Sequence, residues 1–450
     1  LTPSDRLSLV IFDTQIDTIL EPTKMTPENK KTAIQALNQV NSRGGTNLSG
    51  GLLQAIDCLS DKGVKGTVRR CLLFTDGQAN AGIQNAEGIL MAANKTRGST
   101  PISTFGYGTG CNSELLEQLA VDGGNYHYID TPDKILSAFG VELGGLVSTY
   151  GQNVQVTLTP TEGVEILGVL NDLSVKENDD GTVMVTCDDL LAEQPYHLVL
   201  HLKIPSRKNT HPRGVKVVTA VAKFYDVANT TPVELTTAMK VKFVKNGQAD
   251  TKDNPIVMEE VALQKIVQAQ AQAMDHANAG NWAAAQGVMI NAAAFSADVG
   301  TTRSVLLGDA ARGMSQDYFS SHTVYEAGGA QKSRATKGIL RRRSGGSKGL
   351  DVGGVNLDSM YANEAQTGTR AVFEDNTGTG DVPADLLNLV GTPVGTPVDV
   401  GPMNIGIGVL NPQGIKSLDL QTDNKVKVNS SDENSKNSKN SLSKSRSNRW

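Results

Sequence analysis

The segment RRCLLFTDGQAN at 69–80 is the tightest constraint in this chain. Cys71 to Thr75 is short and apolar without alternation, the pattern of a strand buried on both faces of a parallel sheet. Asp76-Gly77 then ends it, glycine letting the backbone turn sharply. A carboxylate therefore stands at the carboxyl end of a buried strand. Parallel strands need crossover connections, usually helices, and the flanking sequence supplies them. DRLSLVIF at 5–12 reads as a strand, and Thr14 to Leu20 alternates as a half-buried strand does. Pro27-Glu28 opens a helix that runs to near Gly44-Gly45. Leu48, Leu52, Ile56 and Leu59 share one face of a helix over 48–60. A helix over 84–97, a strand from Pro101 to Tyr107, a short helix from Ser113 to Ala120, a strand from Tyr126 to Ile129 and a helix from Asp133 to Leu146 follow. Such alternation predicts a doubly wound sheet covered on both faces.

From about residue 150 the period changes. VQVTLTP, VEILGVL, TVMVTCD, PYHLVLHLKI and VKVVTAVAKFYD are strand-length runs separated by turn residues such as Asn178-Asp179-Asp180-Gly181. They predict an antiparallel β-sandwich over 149–248. From 255 the chain is rich in Ala and Gln, with helices joined at Ala279-Gly280-Asn281 and a third around 303–319, a helical domain over 255–322. Residues 323–425, with GTPVGTPVDVGP, read as an extended or linker region, and 426–450 as a disordered low-complexity tail.

Composition narrows function by exclusion. A chain of 450 residues has room for roughly two to four domains. A net charge of -5 gives no overall attraction to nucleic acid, and 4% aromatic residues leave few platforms for stacking bases. No apolar run reaches the ~20 residues that span a bilayer. Cys58, Cys71, Cys111 and Cys187 show no CxxC spacing, so a zinc cluster is disfavoured. Cys58 in a helix pattern and Cys71 in a strand read as buried thiols, with a disulfide as the alternative. The lack of a disulfide pattern favours a cytoplasmic over an extracellular location.

A hard divalent cation takes about six oxygens, and loops after strand carboxyl ends are where such sheets bind ligands. Asp76 lies in one such loop. Thr46, in GGTNLSGGL just before a helix, offers a hydroxyl that is either an N-cap or a ligand. The segments DRLSLVIFD, GGTNLSGGL, RRCLLFTDGQAN, PISTFGYGTGCN and LLEQLAVDGGNYHYIDTPDKI together resemble a von Willebrand factor type A (vWA) domain, over about residues 1–148. The resemblance implies a metal-ion-dependent adhesion site with Thr46 and Asp76 at ligand positions. It implies Mg²⁺, or Ca²⁺ or Mn²⁺, in a complete domain, and a protein partner whose acidic side chain completes the shell. The region 255–320 resembles the part that follows vWA domains in intein-associated and ubiquitin-ligase-associated proteins. The chain departs from the family in lacking the first strand and its Asp-x-Ser-x-Ser loop. Asp172-Leu-Ser174-Val-Lys176 holds only half of that motif. One carboxylate and one hydroxyl carry too little charge to hold Mg²⁺ well, so the site in this chain is expected to be weak or empty. A central slot in the sheet is expected too, and with it a sequence that starts inside its domain.

Other signals point elsewhere less strongly. Gly106, Gly108 and Gly110 lack dinucleotide spacing. His197 and His201 fall on a strand whose leucines take the other face, which places both histidines on an exposed face. Arg341-Arg342-Arg343 reads as a solvated linker, and the triplets at Asn94 and Asn229 as chance glycosylation matches. No catalytic constellation appears in the sequence. The expected function is non-enzymatic protein binding or adhesion through the metal-dependent vWA site. The alternatives are the substrate-recruiting part of an intracellular ubiquitin ligase, or a filament former in which the Val/Gly-rich 380–412 segment adds to a neighbour's sheet edge. A homo-oligomer fits the last.

Overall fold

The computed structural model describes residues 1–41, 43–59, 67–121, 123–132, 134–192, 196–245, 253–342 and 425–428. The first part runs β1 (Arg6–Phe12), β2 (Ile16–Lys24), α1 (Pro27–Asn38), α2 (Leu48–Cys58), β3 (Cys71–Thr75), α3 (Ala86–Arg97), β4 (Ile102–Tyr107), α4 (Ser113–Leu119), β5 (Tyr126–Ile129) and α5 (Lys134–Ser148). Helix starts are set locally. The Thr26 side chain accepts from Asn29 N–H with Pro27 in the first turn, and Asn47, Asn85 and Asn112 accept from the backbone of Gly50, Gly88 and Leu115. Each satisfies a donor that the helix itself leaves unpaired.

β3, β4 and β5 form a parallel sheet, with Phe74 opposite Phe105 and Phe105 opposite His127. β1 and β2 differ from the simple alternation read in the sequence. They make an antiparallel hairpin of their own, with Phe12 opposite Ile16. Strands joined by a turn this short can pair only in that sense. Among the described residues β1 bonds only to β2 and β3 only to β4, so the sheet is split between the β1–β2 hairpin and β3. Helix α2 bridges the split. Leu48, Leu52 and Ile56 pack with Leu73 of β3, and Phe12 of β1 packs against the same cluster. A Cβ on Gly51 would stand 2.4 Å from the Phe12 ring, so glycine is what lets the helix sit this close. The split also leaves Phe74 44% exposed in mid-strand, although it stacks on Phe105 at 4.3 Å.

The second part is antiparallel: β6 (Thr149–Pro160), β7 (Glu165–Val169), β8 (Ser174–Glu177), β9 (Val183–Thr186), β10 (Leu190–Leu191), β11 (Leu200–Lys203), β12 (His211–Asp226) and β13 (Thr231–Phe243). The large sheet runs β13-β12-β6-β9-β8, with β10 on β6, and β7 pairs with β11 separately. Leu200 and Leu202 of β11 and Ile166 of β7 join Val156, Leu158, Val218 and Ala220 in one apolar interior, which makes a sandwich. His197 departs from expectation. It is buried, with Nδ1 3.3 Å from Glu260 Oε1, because the following helical part covers this side of the strands: Val199 packs with Val257 and Val261. His201 is half-buried.

Helices α6 (Pro255–Asn278), α7 (Trp282–Val299) and α8 (Thr302–Phe319) form the third part. Thr301 and Ser304 make a reciprocal capping box at the start of α8. α9 (His322–Val324) and a π-helical turn, Tyr325–Gly329, lead to α10 (Ala330–Arg342). A helix thus occupies the beginning of the stretch expected to be linker. Its apolar residues are too few to show in the sequence, and its cover comes from the other parts. β14 (Lys425–Val428) pairs with β13, where the tail was expected to begin. The 380–412 segment, Arg343 and the remaining tail lie outside the described residues. All four cysteines are free thiols. Cys71, Cys111 and Cys187 are buried and Cys58 half-buried.

Candidate functional site at the rim of the parallel sheet

The carboxyl ends of β3, β4 and β5 open onto the loops 76–85, 108–112 and 130–132. Asp76 leaves β3 exposed to solvent. The turn after it is held by Thr75: Gly77 N–H donates to Thr75 Oγ1 at 3.4 Å, and that hydroxyl lies 3.2 Å from Gly77 carbonyl oxygen. The structure brings the loop before α2 onto this turn. A Cβ on Gly77 would stand 3.9 Å from Thr46 Oγ1. Two ties fix the approach. Thr46 N–H donates to Asn80 Oδ1 at 2.6 Å, and Asn80 N–H returns a bond to Thr46 carbonyl oxygen at 3.0 Å. Thr46 is therefore no N-cap; Asn47 caps α2, which leaves the Thr46 hydroxyl to the rim. A cleft of about 40 Å³ lined by Thr75, Gly77, Gln78 and Asn112 opens between the loops.

Two residues that the sequence reading passed over shape this rim. Asn80 locks the two loops together. Asp13 follows β1 as Asp76 follows β3, a parallel visible in LSLVIFD beside CLLFTD. Its carbonyl oxygen accepts from Asn47 N–H at 2.7 Å. Its carboxylate takes Gln15 N–H at 2.6 Å and Arg43 Nε at 2.5 Å. The Gln15 backbone bond, followed by Arg43, holds this carboxyl below its ordinary range. Arg43 also reaches Asp17 at 2.6 Å. Asp13 is thus paired with its own neighbours.

The donor set does not by itself fit a divalent cation. Thr46 and Asp76 offer one hydroxyl and one carboxylate against the roughly six oxygens such an ion takes. Among the described residues no three His, Cys, Asp or Glu side chains cluster as ligands. Asp172 and Ser174, the half-motif in the sequence, lie in the strand region, where Asp172 pairs with Lys337 at 3.6 Å.

Residues 1–128 match the family model of the von Willebrand factor type A domain. The chain carries a vWA domain. The uncharacterized protein YfbK of Escherichia coli is 32% identical over 126 residues, covering 27% of this chain and 22% of that protein. Rat inter-alpha-trypsin inhibitor heavy chain H3 is 26% identical over 271 residues, 48% of this chain and 30% of the relative. The probable E3 ubiquitin-protein ligase WAVH2 of Arabidopsis thaliana is 24% identical over 235 residues, 49% of this chain and 31% of the ligase. The chain spans less than a third of each of these relatives. A vWA protein structure from Catenulispora acidiphila superposes with a TM-score of 0.57 at 14% identity, covering 75% of this chain and 82% of that one, and shows the shared fold. Two of these likenesses reach past the vWA domain, which fits a strand and helical region that accompanies it.

Proposed function

We propose that this protein is a non-enzymatic binding protein whose vWA rim, at Thr46 and Asp76, engages an acidic group on a protein partner. The observation that carries this is the convergence of the two loops: the Thr46 hydroxyl and the Asp76 turn meet at the carboxyl end of β3, held by Asn80. Protein–protein interaction is the work vWA domains share, which supports the class of function. Metal dependence is part of the proposal. Thr46 and Asp76 stand where the family resemblance puts ligands for Mg²⁺; these two alone would hold it weakly, and the other oxygens would have to come from a partner carboxylate and water. No described helix is long and apolar enough to cross a membrane.

The test is a Mn²⁺ titration read by electron paramagnetic resonance on the wild type and on Asp76→Ala. With so few ligands the wild type should bind in the millimolar range, and the variant about tenfold more weakly or not at all. Equal binding by both would remove the metal from the mechanism. A second reading, substrate recruitment within a ubiquitin ligase, is favoured by the likeness to WAVH2, which extends over 49% of this chain. Cross-linking that recovers ubiquitin-conjugating machinery would favour it over adhesion.

A further inference from the structure

Helix α10 lies between the helical part and the vWA domain. On one side Leu340 is buried among α6–α8, and Thr336 Oγ1 lies 3.2 Å from Tyr318 Oη. On the other, Ala335 packs against the core of the vWA domain. Ion pairs add to this apolar contact. Arg334 lies 3.0 Å from Glu117 and 3.7 Å from Glu114, both on α4. Lys337 stands 2.9 Å from Glu117, and Lys332 3.5 Å from Asp130, just after β5. The Arg334, Lys337 and Glu117 side chains are only 13%, 16% and 17% exposed. The two pairs on Glu117 are therefore shielded from the solvent that makes ordinary surface pairs weak.

The helix also reaches the rim. Gln331 Nε2 donates to Thr109 carbonyl oxygen at 3.3 Å in the β4–α4 loop. The next residue in that loop touches the candidate site: a Cβ on Gly110 would stand 3.2 Å from Asp76 carbonyl oxygen. A kink at Ala327 and Gly328 precedes the helix. Gly328 has φ +117, a backbone state reserved for glycine, and a Cβ there would stand 3.0 Å from Tyr128 Oη.

We propose that α10 is a clasp: its basic face closes on the acidic face of α4 and, through Gln331, holds the β4–α4 loop against the Asp76 turn. Opening it frees the loop. The effect on partner binding rests on the rim being the binding face; the clasp itself does not.

Hydrogen-exchange mass spectrometry on the full chain tests it. In Glu117→Arg the amides of 330–340 and of 108–112 should exchange on the order of tenfold faster, while the buried amides of β4 keep their protection. Glu117→Gln, which removes the charge without setting a like charge against Arg334 and Lys337, should speed exchange in both segments by less. Gln331→Ala, which keeps every charge, should loosen 108–112 alone. Unchanged protection of α10 in Glu117→Arg would overturn the proposal, and so would a 108–112 loop indifferent to both Glu117→Arg and Gln331→Ala. Mn²⁺ titration of the same variants separates the two readings. A freed loop with unaltered Mn²⁺ binding strikes at the binding face and leaves the clasp standing.

Discussion

Glu142 offers the sharpest test of what holds the vWA domain together. It lies on α5, fully buried, and its carboxylate meets four groups from other elements. Ser103 Oγ on β4 and Asn125 Nδ2 donate at 2.5 Å each, His127 Nε2 on β5 is at 3.1 Å, and Arg70 Nε at 3.6 Å. Arg70 in turn bonds Gly123 carbonyl oxygen and lies 3.3 Å from Asp189 at the edge of the strand region. Burial alone would raise this carboxyl; Arg70, followed by His127 and Ser103, outweighs it and brings it down to about 2 from the ordinary 4.5. At about 1.36 kcal/mol for each tenfold in acidity, that depression is worth roughly 3 kcal/mol at neutral pH. Removing one partner of a buried pair costs about 3–5 kcal/mol. Arg70 keeps Asp189 and Gly123, which puts Glu142→Gln at the low end, about 3 kcal/mol. The sign with pH follows. A depressed carboxyl stabilises above its unfolded value of 4.5, and that contribution is lost as pH falls from there toward about 2. Hydrogen exchange of β3–β5 and α5 suits a chain of several parts better than one global transition. Wild type should lose protection on acidification through this window, and Glu142→Gln should be weak already at pH 7 and lose less. A neutral-pH loss below about 1 kcal/mol, or identical acid profiles, would refute the reasoning.

Three further outcomes follow from burial and packing. Glu260 on α6 faces Arg303 at 2.6 Å and His197 at 3.3 Å; desolvation opposes its ionisation, but these partners bring it down to about 2. Glu260→Gln should loosen α6 from residues 196–200 by about 3 kcal/mol in exchange protection, with the same loss toward acid in the wild type. A Cβ on Gly124 would lie 1.7 Å from Ile102 carbonyl oxygen, backbone that cannot swing aside. Gly124→Ala should cost more than about 3 kcal/mol in the exchange protection of β4 and β5. Gly168→Ala, with open space around it, should stay within about 0.5 kcal/mol.

Much of the vWA part was legible because it rests on local signals. β5 lies at Tyr126–Ile129 as its apolar pattern indicates, and β3 ends at Thr75, one residue before Asp76. The positions of Thr46 and Asp76 were readable as loop residues; that the loops touch, and that Asn80 rather than a carboxylate joins them, was not. His197 was misplaced because alternation along a strand tells which residues share a face, not what lies against it. α10 was missed because what it packs on is distant in sequence: Glu117 and Asp130, more than two hundred residues earlier, and the apolar cores that take Ala335 and Leu340.

The amino-acid order determined what depends on short spacing: the period of each segment, the glycine turns, the caps, and an acid at the end of a buried strand. Only the tertiary structure decided what depends on distant surfaces meeting. It split the sheet between β1 and β3 and let α2 bridge the gap. It buried Glu142 beside Arg70, Glu260 beside Arg303, and set α10 on the acidic face of α4. The reason is physical. Backbone torsions and caps are satisfied within a few residues, whereas burying a charge is tolerable only where a partner from another element arrives to meet it.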